Sequence, residues 1–314
     1  MLACDGSLEG VLAATGVTYL AHVHEGEARL ALTKGLQPRL GEAVVRVPAD
    51  THDETVSFAR RVLEGFGRRV THGCRRVRDG RCPSTCDGDC VRRLVFVTAS
   101  DEPGMPEIAY RYLRLGFAEG PRVRTLISDS RVAAFHDLAR SVLGECEHTR
   151  QFVRFSHMAD GSFVASFSPK ANTIPLTASH FAARMGTERF CLVDPRHRIA
   201  AFHEAGQRGC ELVRLDAALA ADIATRTDFA DDEPYVRAMW QRFYVGTTTP
   251  GRDRSQRGYD LRTKWMPQRL WQGLVELGEE RGVSVPARYA GTTTLQEPDG
   301  GPRCLEPGGS SDPA

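Results

Sequence analysis

Four short runs decide the fold class: Phe152-Val-Arg-Phe155, Phe163-Val-Ala-Ser-Phe167, Phe190-Cys-Leu-Val193 and Ile199-Ala-Ala-Phe-His203. The first two are strand-like and are joined through Ala159-Asp-Gly161, a hairpin turn signal. Helical spacing fills the interval from about Pro175 to Arg184. The last two runs flank Asp194-Pro-Arg-His197, which reads as a second tight turn. The order strand, strand, helix, strand, strand predicts an α+β fold, with an antiparallel sheet carrying a helix on one face.

Working outward, helices are expected on both sides of this core. Asp5-Gly-Ser7 places Ser7 near a helix N-cap, with Leu8, Val11 and Leu12 on one face. The Asp50-Thr-His-Asp-Glu-Thr55 segment again offers capping side chains, and Val56, Phe58, Ala59, Val62, Leu63 and Phe66 follow at helical spacing. Leu94 to Val97 fits a strand or the start of a buried helix. Glu107 to Phe117 and Ser130 to Leu143 read as amphipathic helices. Downstream, Glu233 to Tyr244 and Pro267 to Glu280 are predicted helices. Residues 289–314 are rich in Gly, Pro, Ser and Thr and predict a disordered tail. The expected organisation is one domain over residues 1–288, with a helical part (1–150), a sheet core (151–205) and a second helical part (206–288).

The 314 residues carry a net charge of +1, which excludes a broadly basic nucleic-acid coat, but the charges are segregated. Arg68 to Arg93 holds eight arginines against three aspartates. Arg237 to Arg269 holds seven arginines and one lysine against two aspartates. Glu211 to Glu233 reverses the balance, with seven carboxylates against two arginines. Separate basic blocks suit a phosphate-binding face. Only Lys34, Lys170 and Lys264 are lysines; the guanidinium fork suits phosphate, although a GC-rich genome also produces this bias. No run of 18 apolar residues is present, so no membrane span is expected, and the N-terminus lacks a secretory pattern. A cytoplasmic location is the expectation.

Several constellations are candidates for chemistry. His180 and Arg184 share a helix face at i, i+4, and Asp194 and Arg196 follow at a strand end. Arg184 and Arg196 can grip a phosphate while His180 or Asp194 moves a proton. The alternative is a structural network in which Asp194 pairs with an arginine beneath the sheet. Arg154, on the predicted first strand, either stacks or binds phosphate, or extends out past the sheet edge. Trp240, Phe243 and Tyr244 have ordinary helix-core spacing, with a base-stacking platform as the sharper alternative. The loop from Arg252 to Lys264 carries Arg254, Arg257 and Tyr259 and suits a DNA backbone, as does Arg269 beyond it.

Cys74, Cys82, Cys86 and Cys90 supply four clustered thiols, enough for a tetrahedral zinc site or an iron–sulfur cluster. Their spacing matches neither the two-residue zinc knuckle nor the radical-SAM arrangement. Cys4, Cys146, Cys191, Cys210 and Cys304 are scattered and read as fillers or free thiols. A phosphate-binding glycine loop, a dinucleotide fingerprint, a His-Glu-x-x-His helix and a Gly-x-Ser-x-Gly elbow are all missing from the sequence.

Taken in order, Asp5-Gly-Ser7, Leu115-Gly-Phe-Ala-Glu-Gly120, Phe152-Val-Arg-Phe155, Ser168-Pro169, His180-Phe-Ala-Ala-Arg184, Asp194-Pro-Arg196, Trp240-Gln-Arg-Phe-Tyr244 and Met266-Pro-Gln-Arg-Leu-Trp271 form a recognisable set. The chain resembles, over about residues 5–280, a family of DNA-metabolism and DNA-repair proteins built on a domain of unknown function. The resemblance implies a DNA-binding accessory in repair or base modification. It also implies a radical-SAM or uracil-DNA glycosylase-like partner, since genes of that family often neighbour the former and some members are fused to the latter. A nucleic-acid-processing enzyme and a metal-stapled interaction scaffold are the alternatives. Two positions depart from the family pattern: Gln151 stands where a glycine is expected, and Arg252-Asp-Arg254 lacks an expected asparagine.

Overall fold

Hydrophobic periodicity and capping chemistry build the N-terminal body. The computed structural model describes residues 1–48, 53–71, 85–246, 266 and 268–275. Strand β1 (Leu2–Cys4) leads into helix α1 (Leu8–Leu20), whose N-cap is Ser7, with the hydroxyl accepting from the Gly10 N–H at 2.9 Å. Strands β2 (Leu30–Leu32) and β3 (Val45–Arg46) both pair with β1 in parallel, giving a small sheet of order β2-β1-β3. Helices α2 (Asp53–Thr71), α3 (Thr85–Thr98), α4 (Met105–Glu119) and α5 (Ser130–Phe152) pack against α1 and one another, with α4 also meeting β2. Their shared core includes Leu12, Phe66, Leu94, Tyr112 and Phe135. The Leu94–Val97 run is therefore helical, with Leu94, Phe96 and Val97 buried and Val95 exposed.

Two glycines of Leu115-Gly-Phe-Ala-Glu-Gly120 have visible structural duties. A Cβ on Gly116 would lie 2.4 Å from the Phe66 ring, so the missing side chain lets α4 approach α2. Gly120 ends α4 at a φ of 61°, the left-handed region that favours glycine.

The second sheet has five strands in the order β4-β5-β6-β7-β8. They are β4 (Ser156–His157), β5 (Phe163–Ser166), β6 (Phe190–Asp194), β7 (Ile199–His203) and β8 (Glu211–Arg214). Helix α6 (Ile174–Arg184) connects β5 to β6. The mixed α+β class and the strand–strand–helix–strand–strand order hold, but two features correct the sequence reading. The sheet is mixed, because β5 and β6 run parallel on either side of the α6 crossover while the other pairs are antiparallel. Both of its faces are covered. Phe190 and Leu192 pack with Ala178 and Phe181 of α6 on one side. Cys191 and Val193 pack with Ala220 of helix α7 (Ala217–Ala224) on the other, which leaves β6 buried throughout.

A third correction concerns Phe152-Val-Arg-Phe155. Phe152 ends α5, Val153 turns extended (φ −64°, ψ 131°), and the strand begins only at Ser156. Arg154 thus sits in an extended link, where strand alternation does not assign its side. The outer edge of β4 is covered by residues 228–230, through the Ala230 N–H to His157 carbonyl and the Ala159 N–H to Asp228 carbonyl hydrogen bonds. Helix α8 (Glu233–Gly246) follows at once, placed against the junction of α5 and the sheet. A 3-10 segment (Gln268–Gly273) buries Leu270 in the α6-side core. Among the described residues no helix is long and apolar enough to cross a membrane.

Candidate nucleic-acid interface

One face of α8 forms a wall of a cleft of about 500 Å³. Glu233, Val236, Arg237 and Trp240 lie at i, i+3, i+4 and i+7, the spacing that aligns side chains on one helical face. The last turn of α5 supplies Arg150 and Gln151 to the lining, the extended link supplies Arg154 and Phe155, and the end of α6 supplies Arg184. The lining among the described residues therefore holds four guanidinium groups and a single carboxylate.

The five charges are not equivalent. Glu233 is buried, accepting from the His157 backbone N–H at 3.0 Å and from Arg237 Nε at 2.7 Å. Arg237 also donates to Ser156 Oγ at 2.7 Å and lies 4.2 Å from the Phe229 ring centroid, so it is held rigidly. Arg150 pairs with Glu147 one turn earlier on α5. Arg154 donates to the Gln151 carbonyl at 2.9 Å and lies 5.7 Å from the Trp240 ring centroid. Arg184 is exposed and makes no ion pair or hydrogen bond among the described residues. It is the guanidinium most available to an incoming anion.

Of Trp240, Phe243 and Tyr244, whose spacing suits a helix core, the structure places Trp240 and Phe243 outside the core. They are 40% and 59% exposed, with their rings stacked at a 5.4 Å centroid separation. The Tyr244 side chain lies outside the described residues. The Trp271 indole N–H donates to the Met266 carbonyl at 3.0 Å.

The four-residue constellation of His180, Arg184, Asp194 and Arg196 does not converge. Because α6 is a crossover between parallel strands, its C-terminal Arg184 lies near the start of β6, whereas Asp194 ends that strand. The intervening strand alone spans roughly 13 Å at its usual rise per residue. His180 is exposed, edge-on to Phe181, and does not line the cleft.

Asp194 belongs instead to a clasp that includes His197, a residue that sequence reasoning quoted only as part of a turn. The fully buried Asp194 carboxylate accepts from the backbone N–H groups of Arg196 and His197 and from His197 Nδ1 at 2.5 Å. His197 Nε2 donates to Asp101 Oδ1 at 2.8 Å, and Arg196 Nε donates to Asp101 Oδ2 at 2.8 Å. A His197 ring that carries protons on both nitrogens matches the two acceptor oxygens it faces. Burial, the largest influence on His197, lowers its pKa, but the hydrogen bonds and charges of Asp194 and then Asp101 outweigh it and raise the net value. Asp101 lies between α3 and α4, so the clasp ties the N-terminal body to the β6–β7 turn.

Of the remaining expected site residues, Arg252, Arg254, Arg257, Cys74 and Cys82 lie outside the described residues, as do the side chains of Cys86 and Arg269 and the tail (289–314). Cys90 is buried on α3, its sulfur accepting from the Tyr112 hydroxyl at 3.4 Å. Among the described residues no group of three or more His, Cys, Asp and Glu side chains is placed to hold a metal ion.

A family model described as a domain of unknown function, DUF4130, matches residues 103–276, more than half of the chain. The match takes in α4, α5, the whole five-stranded sheet and every wall of the cleft. No curated protein and no solved structure matches the chain.

Proposed function

The chain belongs to the DUF4130 family, and on that footing we propose that it is a DNA-binding accessory protein whose contact surface is the cleft between α5, α6 and α8. The observation that carries this reading is the lining itself: four guanidinium groups against one carboxylate, around an exposed tryptophan. Phosphate is the anion that planar, bidentate donors suit, and a concave site with several of them favours a polyanion over an isolated charge. The basic stretch from Arg252 to Lys264, outside the described residues, follows α8 in the chain and adds cationic groups suited to the same polyanion.

The ordered motifs that resemble DNA-repair and DNA-metabolism proteins favour a setting in repair or base modification. In that setting a radical-SAM or glycosylase-like partner supplies the chemistry and this chain engages the DNA. Neither His180 nor Asp194 lines the cleft, which supports binding as the role of this surface.

Fluorescence anisotropy of the full chain with labelled DNA, titrated at increasing salt, tests the reading. Affinity should fall linearly on a log–log plot with salt. Arg184→Ala should weaken binding and lower that slope by about one, the loss of one phosphate contact. The triple substitution of Arg252, Arg254 and Arg257 by Ala should lower it further. Absence of DNA binding at low salt would remove the proposal.

A further inference from the structure

We infer that the surface formed by the cleft and the adjoining face of α8 takes single-stranded DNA, with unpaired bases stacked on Trp240 and Phe243 and the sugar–phosphate backbone drawn along Arg184 and Arg150. The inference rests on the reading that this cleft meets DNA and adds which form of DNA, held by which contacts.

Three observations lead to it. First, α8 has two adjoining faces that share Val236 and Trp240. Glu233, Val236, Arg237 and Trp240 line the cleft, whereas Val236, Met239, Trp240 and Phe243, again at i, i+3, i+4 and i+7, form an apolar stripe that is 40–59% exposed. The same chain buries Phe66, Tyr110, Tyr112 and Phe135 almost completely, so it does not lack the means to cover its large rings.

Second, the exposed rings are organised. The Trp240 and Phe243 rings stack with an interplanar angle of 23°, and the Arg154 guanidinium lies against Trp240. An ordered pair of nearly parallel rings costs little conformational entropy to engage and offers π-faces that any base can extend. A rotamer-rich apolar patch would lack that preference.

Third, the rings are flanked by cationic groups that can reach phosphates. Arg184 is exposed and without a partner among the described residues, and Arg150, paired with Glu147, also lines the cleft. A positive groove beside aromatic faces is the general physical solution for binding single strands, because it satisfies the backbone and the unstacked bases together. A duplex keeps its base faces inside the stack and would leave the aromatic stripe in water. A partner protein would cover the apolar stripe but has no general need for an arginine-lined cleft beside it. Charge complementarity therefore selects the strand.

The experiment compares the full chain's affinity for a labelled oligothymidylate, a hairpin duplex, an oligoribonucleotide of matching length and an abasic single strand. The proteins compared are wild type, Trp240→Ala, Phe243→Ala, Phe243→Leu and Arg184→Ala. Both rings are exposed, and circular dichroism of each variant checks that the fold is retained. The single strand should bind more tightly than the duplex, and the abasic strand should lose most of that advantage. Trp240→Ala and Phe243→Ala should each weaken the single strand by roughly 5- to 150-fold, the span of one lost base stack, with little effect on the abasic strand. Phe243→Leu should weaken it as well, because a leucine keeps the apolar volume and loses the π-face.

Equal affinity for duplex and single strand, with the aromatic substitutions silent and Arg184→Ala still weakening both, overturns this inference and leaves the DNA-binding reading intact. Tighter binding of the ribonucleotide overturns it in favour of RNA. Concentration-dependent self-association in sedimentation that Phe243→Ala abolishes overturns it in favour of a second copy of the chain on this face. No binding of any DNA at low salt removes both readings.

Discussion

Removing the imidazole of His197 should destabilise the protein in a way that depends on pH with a defined sign. His197 lies between the fully buried carboxylate of Asp194 and that of Asp101, with its own side chain only 12% exposed. In His197→Gln the Asp194 carboxylate keeps the backbone N–H groups of residues 196 and 197 but loses its cationic partner. A hydrogen bond to a charged group contributes about 1.5–3 kcal/mol. Asp101 is a third exposed, and screening leaves its pair with His197 less than about 1 kcal/mol. The expected loss is therefore about 2–3 kcal/mol at acidic to neutral pH. The folded-state pKa of His197 is raised above the ordinary 6.5, so its contribution is fully present below about pH 6.5 and is lost as the pH rises through the folded value. Urea unfolding of wild type and His197→Gln at about pH 6 and about pH 9 measures this, with the difference between the two proteins cancelling other titrations. The stability gap should be largest at the lower pH and shrink at the higher. A gap that grows with pH, or no gap at about pH 6, would refute the reasoning.

Three further outcomes follow from the same geometry. Gly116→Ala should lower stability by about 1–3 kcal/mol despite alanine's higher helix propensity, because its Cβ would lie 2.4 Å from the buried Phe66 ring; thermal melts check this, and Phe66→Leu in the same chain should recover part of the loss. Glu233→Gln removes the one carboxylate among the described cleft residues, and should tighten DNA binding roughly two- to fivefold at low salt while costing about 1–3 kcal/mol of stability; unchanged or weaker binding in the anisotropy assay counts against the cleft as the contact. Burial pushes the thiols of Cys4 and Cys146 up to about 11 and that of Cys191 to about 12, so at neutral pH they are protonated and should resist a thiol-labelling reagent until denaturant is added; rapid labelling of any of the three in the folded protein, mapped by peptide mass, would contradict that burial.

What the sequence disclosed tracks the range over which each signal acts. Ser7 as a cap, the Asp160-Gly161 turn and the α6 pattern are local, and each is present as expected. The parallel sheet of β1, β2 and β3 escaped notice because its strands are two or three residues long, and β1 is buried throughout, so period-two alternation has no room to register. β8 was missed for the opposite reason: Glu211 and Arg214 make it polar, as suits an exposed edge. The helix read from Ser130 to Leu143 runs on to Phe152 because Gly144 and the polar residues after it interrupt the apolar rhythm without breaking the helix. The cleft was half legible. Arg154, Arg184 and Trp240 could each be picked out by residue type, but Arg150, Glu233 and Arg237 join them only through the packing of α8 against the end of α5. His197 meets Asp101 across 96 positions of chain, a separation no local pattern can bridge.

The spacing of Trp240 and Phe243 shows why helical periodicity cannot by itself separate a core from a contact surface. Positions i, i+3 and i+4 establish only that side chains share a face; what covers that face is a fact of the tertiary fold. Here the fold directs two such faces to different ends. On α6, Ala178 and Phe181 share a face and meet Phe190 and Leu192, so their periodicity is consumed by the sheet. On α8, the Glu233–Arg237 pair and its bonds to His157 and Ser156 fix the rotation of the helix about its axis. With the rotation fixed by polar contacts, Val236, Met239 and Phe243 are turned outward and the Trp240 indole is left bridging cleft and stripe. The half-buried ion pair thus does for α8 what an apolar core does for α6: it sets orientation. It leaves the apolar side chains available to something other than the protein itself, beside the guanidinium groups that give that surface its positive charge.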